Sequence, residues 1–184
     1  MSITEKHRQT SIVSVKNDIP EMVKPLDEGV ADQLGDIEPS ISAYGLRLFP
    51  CEAVLDDGSV ESRVYVVEAR GYLAEWGVWP WQDLGKRWIP AERIRSVRSS
   101  PLRLAAQFAN ELNAAGESGM GYCIFSVELR DGRRIFFLMG NAVDFPSWPK
   151  DVCPDDVVSV RAHDRHPDYA PGADYAWCPI RSAR

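Results

Sequence analysis

The sequence predicts an α+β fold in which two β-meanders, each a hairpin plus a third strand, flank one central helix. Three observations predict this arrangement. Two Asp-Gly dipeptides, at 57–58 and 131–132, each join two apolar runs rich in β-forming residues. One stretch with helical periodicity, 100–116, lies between the two pairs of runs. The same order of features follows each pair, which indicates an internal duplication.

Length and composition predict a single domain with two peripheral segments. A chain of 184 residues with 45% hydrophobic content can bury one ordinary core. We predict a core domain over residues 41–163, a loosely ordered acidic arm over 1–40 and an irregular tail over 164–184. The run 11–15 of the arm would suit an exposed sheet edge. The tail is expected to be anchored in part by its aromatic residues, which are Tyr169, Tyr175 and Trp177.

The arm is predicted to be loose because of its prolines and its charge. Pro20, Pro25 and Pro39 would interrupt a long helix. Eight acidic side chains against four basic ones give residues 1–40 a charge of −4. We therefore expect removal of this arm to leave a folded core.

The hairpins are predicted from turn chemistry and from alternation. The runs 46–55 and 60–69 flank Gly58, and the runs 122–130 and 134–140 flank Gly132. Glycine supplies the positive φ of a tight turn. In the second pair the apolar side chains alternate onto one face, and they are Cys123, Phe125, Val127 and Leu129.

A proline and a short strand follow each hairpin. Pro90 precedes the strand 94–98 and Pro154 precedes the strand 157–161, and both strands read Ile/Val-x-x-Val-Arg. The alternative to duplication is chance alignment of common hairpin features. The order of elements predicts either one sandwich or two curled half-barrel sheets that share the helix.

The central helix has a start signal, a periodic face and a stop signal. Ser100 is suited to the N-cap, Pro101 to the first helical position and Gly116 to the end. The apolar positions recur at i+4, and they are Leu104, Phe108 and Leu112. The helix is therefore expected to pack across a sheet.

The charge excludes some classes of partner. The formal net charge is −6 and the isoelectric point is near 5.1. A phosphate backbone or an anionic membrane would be repelled by such a surface, so we predict neither nucleic acid nor membrane as partner. A basic or neutral protein is the expected partner. The first residues lack the apolar core of a signal peptide, which predicts a cytoplasmic location.

No metal site or cofactor is predicted. The four cysteines, Cys51, Cys123, Cys153 and Cys178, form no C-x-x-C pair, and Cys51 and Cys123 lie in apolar strand patterns typical of buried thiols. His163 and His166 are close enough in sequence to share a metal. Their surroundings favour a solvated loop instead.

No catalytic residue is predicted. The segment 116–121 is rich in glycine, but a helix precedes it and a strand follows, the reverse of phosphate-binding and nucleophile-elbow motifs. Cys123, His163 and a carboxylate form a nucleophilic triad only if the fold brings them together. The sequence offers no spacing that supports this.

The connection after the first hairpin is the most unusual segment. Four tryptophans occupy thirteen positions, and they are Trp76, Trp79, Trp81 and Trp88. Trp148 lies in the corresponding connection of the second unit. Tryptophans in a long loop either form a satellite core or present anchors to a partner. We predict that Trp76, Trp79, Trp81 and Trp148 belong to a binding surface, with Trp79 and Trp81 as the exposed anchors.

Two functional hypotheses follow. The first is a non-catalytic protein-binding module, such as a small acidic bacterial inhibitor of the immunity or anti-defence type. The alternative is a small-molecule binder or unassigned enzyme with a pocket near Gly119 and Tyr122, including Asn141 and Asp144. The structural interpretation of Asn141 and Asp144 is a strand-terminating turn. The sequence leaves the oligomeric state open.

Overall fold

A computed structural model of the chain describes residues 19–182. Within that range there are three α-helices and ten β-strands, with 3-10 turns at Pro80–Gln82, Ala91–Arg93 and Pro154–Asp156. The helices are α1 (Glu28–Gly35), α2 (Ala69–Trp76) and α3 (Ala106–Ala115). The strands are β1 (Ser40–Ile41), β2 (Arg47–Leu55), β3 (Val60–Glu68), β4 (Arg87–Trp88), β5 (Ile94–Ser99), β6 (Cys123–Leu129), β7 (Arg134–Met139), β8 (Val157–Ala162), β9 (Ala170–Pro171) and β10 (Ala176–Ile180).

The strands form two sheets. The first contains β1-β2-β3-β10-β4 in that order, with β5 also paired to β2. The second has the order β8-β6-β7-β9. The fold is therefore mixed α+β, as predicted. None of the helices between residues 19 and 182 is long and apolar enough to cross a bilayer.

Both hairpins form at the Asp-Gly turns. β2 pairs antiparallel with β3, and β6 pairs antiparallel with β7. The turn glycines Gly58 and Gly132 have φ angles of +80° and +85°. These angles lie in the left-handed region that glycine enters without steric cost, which explains why each turn contains glycine.

The third strand of each unit differs from the predicted meander. β5 pairs with β2 and β8 pairs with β6, so the third strand lies beside the first strand of its hairpin and not beside the second. The reason is that the outer edge of β3 is occupied by β10 and that of β7 by β9. Each connection therefore returns the chain to the free edge of the first strand.

Residues 19–40 are part of the core and not a loose arm. Val30 and Leu34 on α1 are buried against the first sheet, together with Leu26 and Ile37. The prolines do not interrupt α1, because Pro20 and Pro25 precede it and Pro39 follows it. The predicted edge strand at 11–15 lies outside the described residues.

The predicted irregular tail contains a central strand. β10 lies between β3 and β4 and runs parallel to both. Parallel neighbours are distant in sequence, so local patterns give no signal for this pairing. Trp177 on β10 is buried, as expected of an anchor. The Arg181 guanidinium beyond it donates to the Val23 and Ile19 carbonyls at 2.6 Å each, which ties the tail to the amino-terminal segment.

The helices were predicted only in part. The sequence predicted one, and three are present among residues 19–182. The predicted helix, α3, ends before Gly116 as expected but begins at Ala106. Ser100 instead caps a preceding turn, in which its hydroxyl accepts the Leu102 amide at 3.2 Å. α2 lies almost entirely in the segment that was predicted as the irregular connection after the first hairpin, and it begins where the Glu68 carboxylate accepts the Gly71 amide at 2.7 Å.

One segment between the sheets belongs to two cores. Val143 packs in the core of the second sheet, whereas Ala142 and Phe145 pack in an aromatic core on the first sheet. This aromatic core also contains Tyr65 and Trp177. The segment 142–145 therefore joins the two sheets and places Asp144 between them.

Candidate functional site

The predicted tryptophan surface is mostly packed. Trp79 is only 8% exposed, and its ring stacks on Trp81 with centroids 5.1 Å apart. Trp81 also contacts Trp88 at 5.0 Å between centroids. Within the described residues no tryptophan is exposed. The predicted exposure of Trp79 is wrong, because its ring is packed in the aromatic core of the first sheet and stacks on Trp81. The packing favours the satellite-core interpretation.

The other two predicted tryptophans are also engaged. Trp76 at the end of α2 packs on Tyr72 and Trp177, with centroids 4.8 Å apart in both pairs. Trp148 donates its indole N–H to the Leu102 carbonyl at 2.9 Å and packs edge-on against Phe137. Both side chains are half-buried, and these contacts give them a role in stabilising the fold.

Asp144 is the centre of a buried polar network. Its carboxylate accepts hydrogen bonds from Ser40 at 2.8 Å, Tyr65 at 3.3 Å and Arg103 at 3.4 Å. Burial raises the pKa of Asp144 to about 6, although the Arg103 guanidinium and the hydrogen bonds act in the opposite direction. The side chain is fully buried, so the structure gives Asp144 a role in joining the sheets and does not place it in a pocket.

An open cleft lies between the β1–β2 turn and α2. It has a volume of about 440 Å³, and its lining residues are Tyr44, Gly45, Leu46, Gly71, Ala74 and Glu75. Gly45 has a φ of +86°, which allows the tight turn on one side of the cleft. Gly71 has no side chain, and a Cβ there would collide with Leu46. The glycines therefore allow the turn and the helix to approach closely.

A small cavity adjoins this cleft. It shares Tyr44 and Glu75 with the cleft, and its other lining residues are Ala43, Asn113, Gly116, Glu117, Cys123 and Asn141. Its volume is about 10 Å³, close to the space of one water-sized group. We call this cavity the seat.

Asn141 lines the seat and has an acceptor without a partner among residues 19–182. Its Nδ2 donates to Glu117 Oε1 at 2.6 Å, which fixes the orientation of the amide, because the flipped amide would set two acceptors against each other. Asn141 Oδ1 is buried and has no hydrogen-bond partner among residues 19–182. Buried polar atoms are normally satisfied, so an unpaired acceptor at a cavity indicates a place for a donor.

The charge of the two linings is negative. Glu75 is half-buried and accepts the Ser42 hydroxyl at 2.6 Å, and its burial raises the pKa of its carboxyl. Glu117 Oε2 accepts the Gly121 amide at 2.9 Å. In the part of the chain that the structure describes, neither glutamate forms an ion pair, and neither lining includes a lysine, arginine or histidine.

The glycine-rich turn predicted to border a pocket lies beside the seat. Gly119 and Tyr122 form an isolated β-bridge, and Glu117 holds the turn through Gly121. Met120 is almost fully exposed, and Tyr122 is also exposed. Of the two polar residues predicted with this turn, Asn141 lines the seat and Asp144 does not.

The structure does not pair His163 with Cys123, the combination that only the fold could have brought together. His163 Nδ1 lies 2.8 Å from Ser118 Oγ, and its Nε2 lies 3.1 Å from the Ala115 carbonyl. The carbonyl needs a donor, so Nε2 carries the proton and Nδ1 accepts from Ser118. Ser118 Oγ also accepts the Ile124 amide at 2.9 Å, which is the hydrogen bonding of a structural hydroxyl. Burial raises the pKa of Cys123, which disfavours a thiolate.

The two histidines do not converge. His166 stacks on Phe136 with ring centroids 4.0 Å apart, whereas His163 faces Ser118. Among residues 19–182, no three His, Cys, Asp or Glu side chains lie close enough together to bind a metal ion.

Comparison with known proteins gave no relative: no family model, curated protein or solved structure matches the chain.

Sequence reasoning missed most of the cleft. Gly45 could have indicated the turn on one side of the cleft but was not used. Ala74 and Glu75 lie in the segment that was predicted as the connection after the first hairpin. Glu117 was considered only as part of a glycine-rich motif. These residues come together through tertiary packing, and no local pattern links them.

Proposed function

We propose that the chain is a non-catalytic protein-binding module whose binding face is the cleft between Tyr44 and Glu75 and its rim. The observation that carries the proposal is the open cleft of about 440 Å³, whose lining combines apolar groups with Glu75, a glutamate that forms no ion pair among residues 19–182. Tyr44 is 76% exposed at its edge. Exposed aromatic side chains beside an apolar depression are typical of protein interfaces.

The shape of the cleft supports a protein segment over an enclosed small molecule. Small-molecule sites usually bury most of the surface of their ligand. This cleft is a groove between a turn and a helix and is open to solvent. The exposed side chains of Met120 and Tyr122 lie on the turn held by Glu117, and they extend the apolar surface near the seat.

The charge supports a basic partner. The net charge is −6, and the cleft and seat bring Glu75 and Glu117 without basic residues in their linings. Such a surface is consistent with a small acidic inhibitor of a basic protein, of the immunity or anti-defence type. We propose a cytoplasmic location for this inhibitor. Trp76, the last residue of α2, packs on Trp177 and so holds this end of the helix on the first sheet.

We also propose that the two units of the fold arose by internal duplication. The orders β5-β2-β3 and β8-β6-β7 match. The register shifts before Leu55 in one unit and before Leu129 in the other, at equivalent points of the two hairpins. In each unit the residue after that leucine donates its backbone amide to the carbonyl of the residue before the third strand. The bond runs from Asp56 to Arg93 in the first unit and from Arg130 to Asp156 in the second.

A photo-crosslinking experiment tests the binding face. Benzoylphenylalanine replaces Ala74, an exposed residue of the cleft, and in a matched control it replaces Ala31, an exposed residue of α1. In cells that make the protein we expect one protein to be crosslinked from position 74 and not from position 31. That protein is identified by mass spectrometry and purified.

The purified complex then decides the proposal. Ala74→Trp fills the cleft and is expected to raise the dissociation constant at least about tenfold, whereas Ala31→Trp leaves it unchanged. Circular dichroism checks that both variants fold. Identical crosslinks from the two positions, or a complex unaffected by Ala74→Trp, would contradict this binding face.

A further inference from the structure

We infer that the seat receives the ammonium group of a lysine side chain from the protein partner. This inference rests on the proposed function and specifies the side chain that the binding face recognises. It depends on the acceptors around the seat, the size of the seat and its connection to the cleft.

The acceptors around the seat match an ammonium group. A lysine ammonium has three N–H donors and no acceptor. The lining of the seat includes Glu75, Glu117 and Asn141, and the buried Asn141 Oδ1 has no partner among the residues described. An ammonium would give this oxygen a hydrogen bond and would compensate the negative charge of both glutamates.

The size of the seat favours lysine over arginine. About 10 Å³ is the space of one water-sized group. An ammonium is a compact charge of that size, whereas a guanidinium is a planar fork that needs more room. A water molecule also fits, so the experiment must separate a seat for water from a seat for a cation.

The cleft provides the path for the lysine stem. It shares Tyr44 and Glu75 with the seat, and Leu46 and Ala74 contribute apolar surface to its lining. Lysine side chains commonly lay their methylene groups along apolar surface and direct the charge to a polar group. The half-burial of Glu75, which raises the pKa of its carboxyl, makes a compensating cation more favourable.

A titration with model compounds tests the inference. The ¹⁵N-labelled full chain is titrated with Nα-acetyl-lysine N-methylamide and with three comparison compounds, its arginine, norleucine and Nε-acetyl-lysine counterparts. We expect the lysine compound to bind with a dissociation constant on the order of 1 mM, at least about fivefold tighter than the others. The largest shifts are expected at Tyr44 and at the Asn141 side-chain amide.

Cadaverine distinguishes a protein lysine from a free amine. If cadaverine binds at least about tenfold tighter than the lysine compound, the natural occupant is a free amine and the lysine assignment is overturned. If no compound shifts the Asn141 amide, the seat holds water only and the assignment is also overturned.

Two matched variants locate the effect. Glu75→Gln keeps the shape of the side chain and removes its charge, so we expect lysine binding to weaken at least about tenfold. Glu111→Gln removes an exposed charge on α3 and leaves binding unchanged. Equal effects of the two variants would show nonspecific electrostatic attraction and would overturn the assignment of lysine binding to the seat.

The two proposals fail separately. If Ala74→Trp weakens the partner complex but no compound prefers the seat, the binding face remains and only the lysine assignment is lost. If the lysine compound binds at the seat but no partner contacts position 74, the seat remains as a site for an ammonium group, whereas the protein-binding function is lost, and with it a partner as the source of the lysine.

Discussion

Tyr65 and Asp144 exchange two hydrogen bonds between the two sheets. The Asp144 amide donates to Tyr65 Oη at 3.0 Å, and the Tyr65 hydroxyl donates to Asp144 Oδ2 at 3.3 Å. Tyr65 lies on β3 of the first sheet, whereas Asp144 follows β7 of the second. Because Arg103 and Ser40 bind the same carboxylate, four separate segments meet at one buried charge.

Replacing Asp144 with asparagine should destabilise the protein. Asp144→Asn exchanges one carboxylate oxygen for an amide donor among the buried donors of Ser40, Tyr65 and Arg103, and we expect a loss of about 1 to 3 kcal/mol in the free energy of unfolding. Arg103→Met removes one of these donors from the buried carboxylate and should cost a similar amount at pH 7. The double variant should lose less than the sum of the two, as measured by urea unfolding. Additive losses would show that the pair is not coupled.

The buried carboxyl should also make stability depend on pH. The pKa of Asp144 is about 6 in the folded protein, raised chiefly by burial, against about 3.9 in an unfolded chain. A raised pKa means that its contribution to stability is fully present below about pH 4 and is lost as the pH rises through 6. The stability of the wild type minus that of Asp144→Asn should therefore fall from pH 4 to pH 7. A difference that rises over this range would contradict the assignment.

Truncating Trp79 should affect folding more than binding. Trp79→Ala removes a buried ring that stacks on Trp81, and we expect a loss of about 3 to 5 kcal/mol. Trp81→Ala should cost less because Trp81 is half-buried. Urea unfolding gives the stability of both variants, and titration at a temperature where they remain folded gives their affinity for the partner. A stable Trp79→Ala variant that binds the partner weakly would restore the tryptophan surface as the binding site.

The amino-terminal helix should be essential for stability. Leu34 on α1 is buried in the first core, and Leu34→Ala should cost about 2 to 5 kcal/mol. Leu84 is fully exposed, so Leu84→Ala is the matched control and should change stability by less than about 0.5 kcal/mol. Thermal or urea unfolding compares them. Equal midpoints would mean that α1 is not packed as described.

The turn glycines should resist substitution. Gly132 has a φ of +85°, so Gly132→Val should cost about 1 kcal/mol or more because a β-branched residue is strained there. Gly35 ends α1, and a Cβ there meets nothing within 4 Å. Gly35→Val should therefore leave the unfolding midpoint nearly unchanged. A similar small effect at both positions would contradict the turn.

The sequence predicted those parts of the fold that depend on neighbouring residues. Both hairpins follow from an Asp-Gly pair between alternating strands, and the end of α3 follows from Gly116. These signals are local, since turn geometry and capping involve a few consecutive residues. The burial of Cys51 and Cys123 followed from their apolar strands in the same way.

The sequence did not predict the elements that pack against residues far away in the chain. The segment that contains α1 was predicted as a loose arm because prolines and charges dominate its sequence. In the structure Val30 and Leu34 of α1 pack in the core of the first sheet. β10 was predicted as irregular because a parallel strand is stabilised by neighbours far away in the chain. The predicted tryptophan anchors were misplaced for the same reason, since composition shows that indoles are present but not what covers them.

For the candidate site, the sequence by itself determined the chemical groups, and the tertiary structure decided which of them meet. Asn141 and the turn after Gly116 were identifiable from their residue types. The cleft required the β1–β2 turn to approach α2, and the seat required Glu75, Glu117 and Asn141 to converge from three parts of the chain. The physical reason is that a side chain acquires its burial, its unpaired acceptor or its shifted pKa only from the neighbours that packing brings to it.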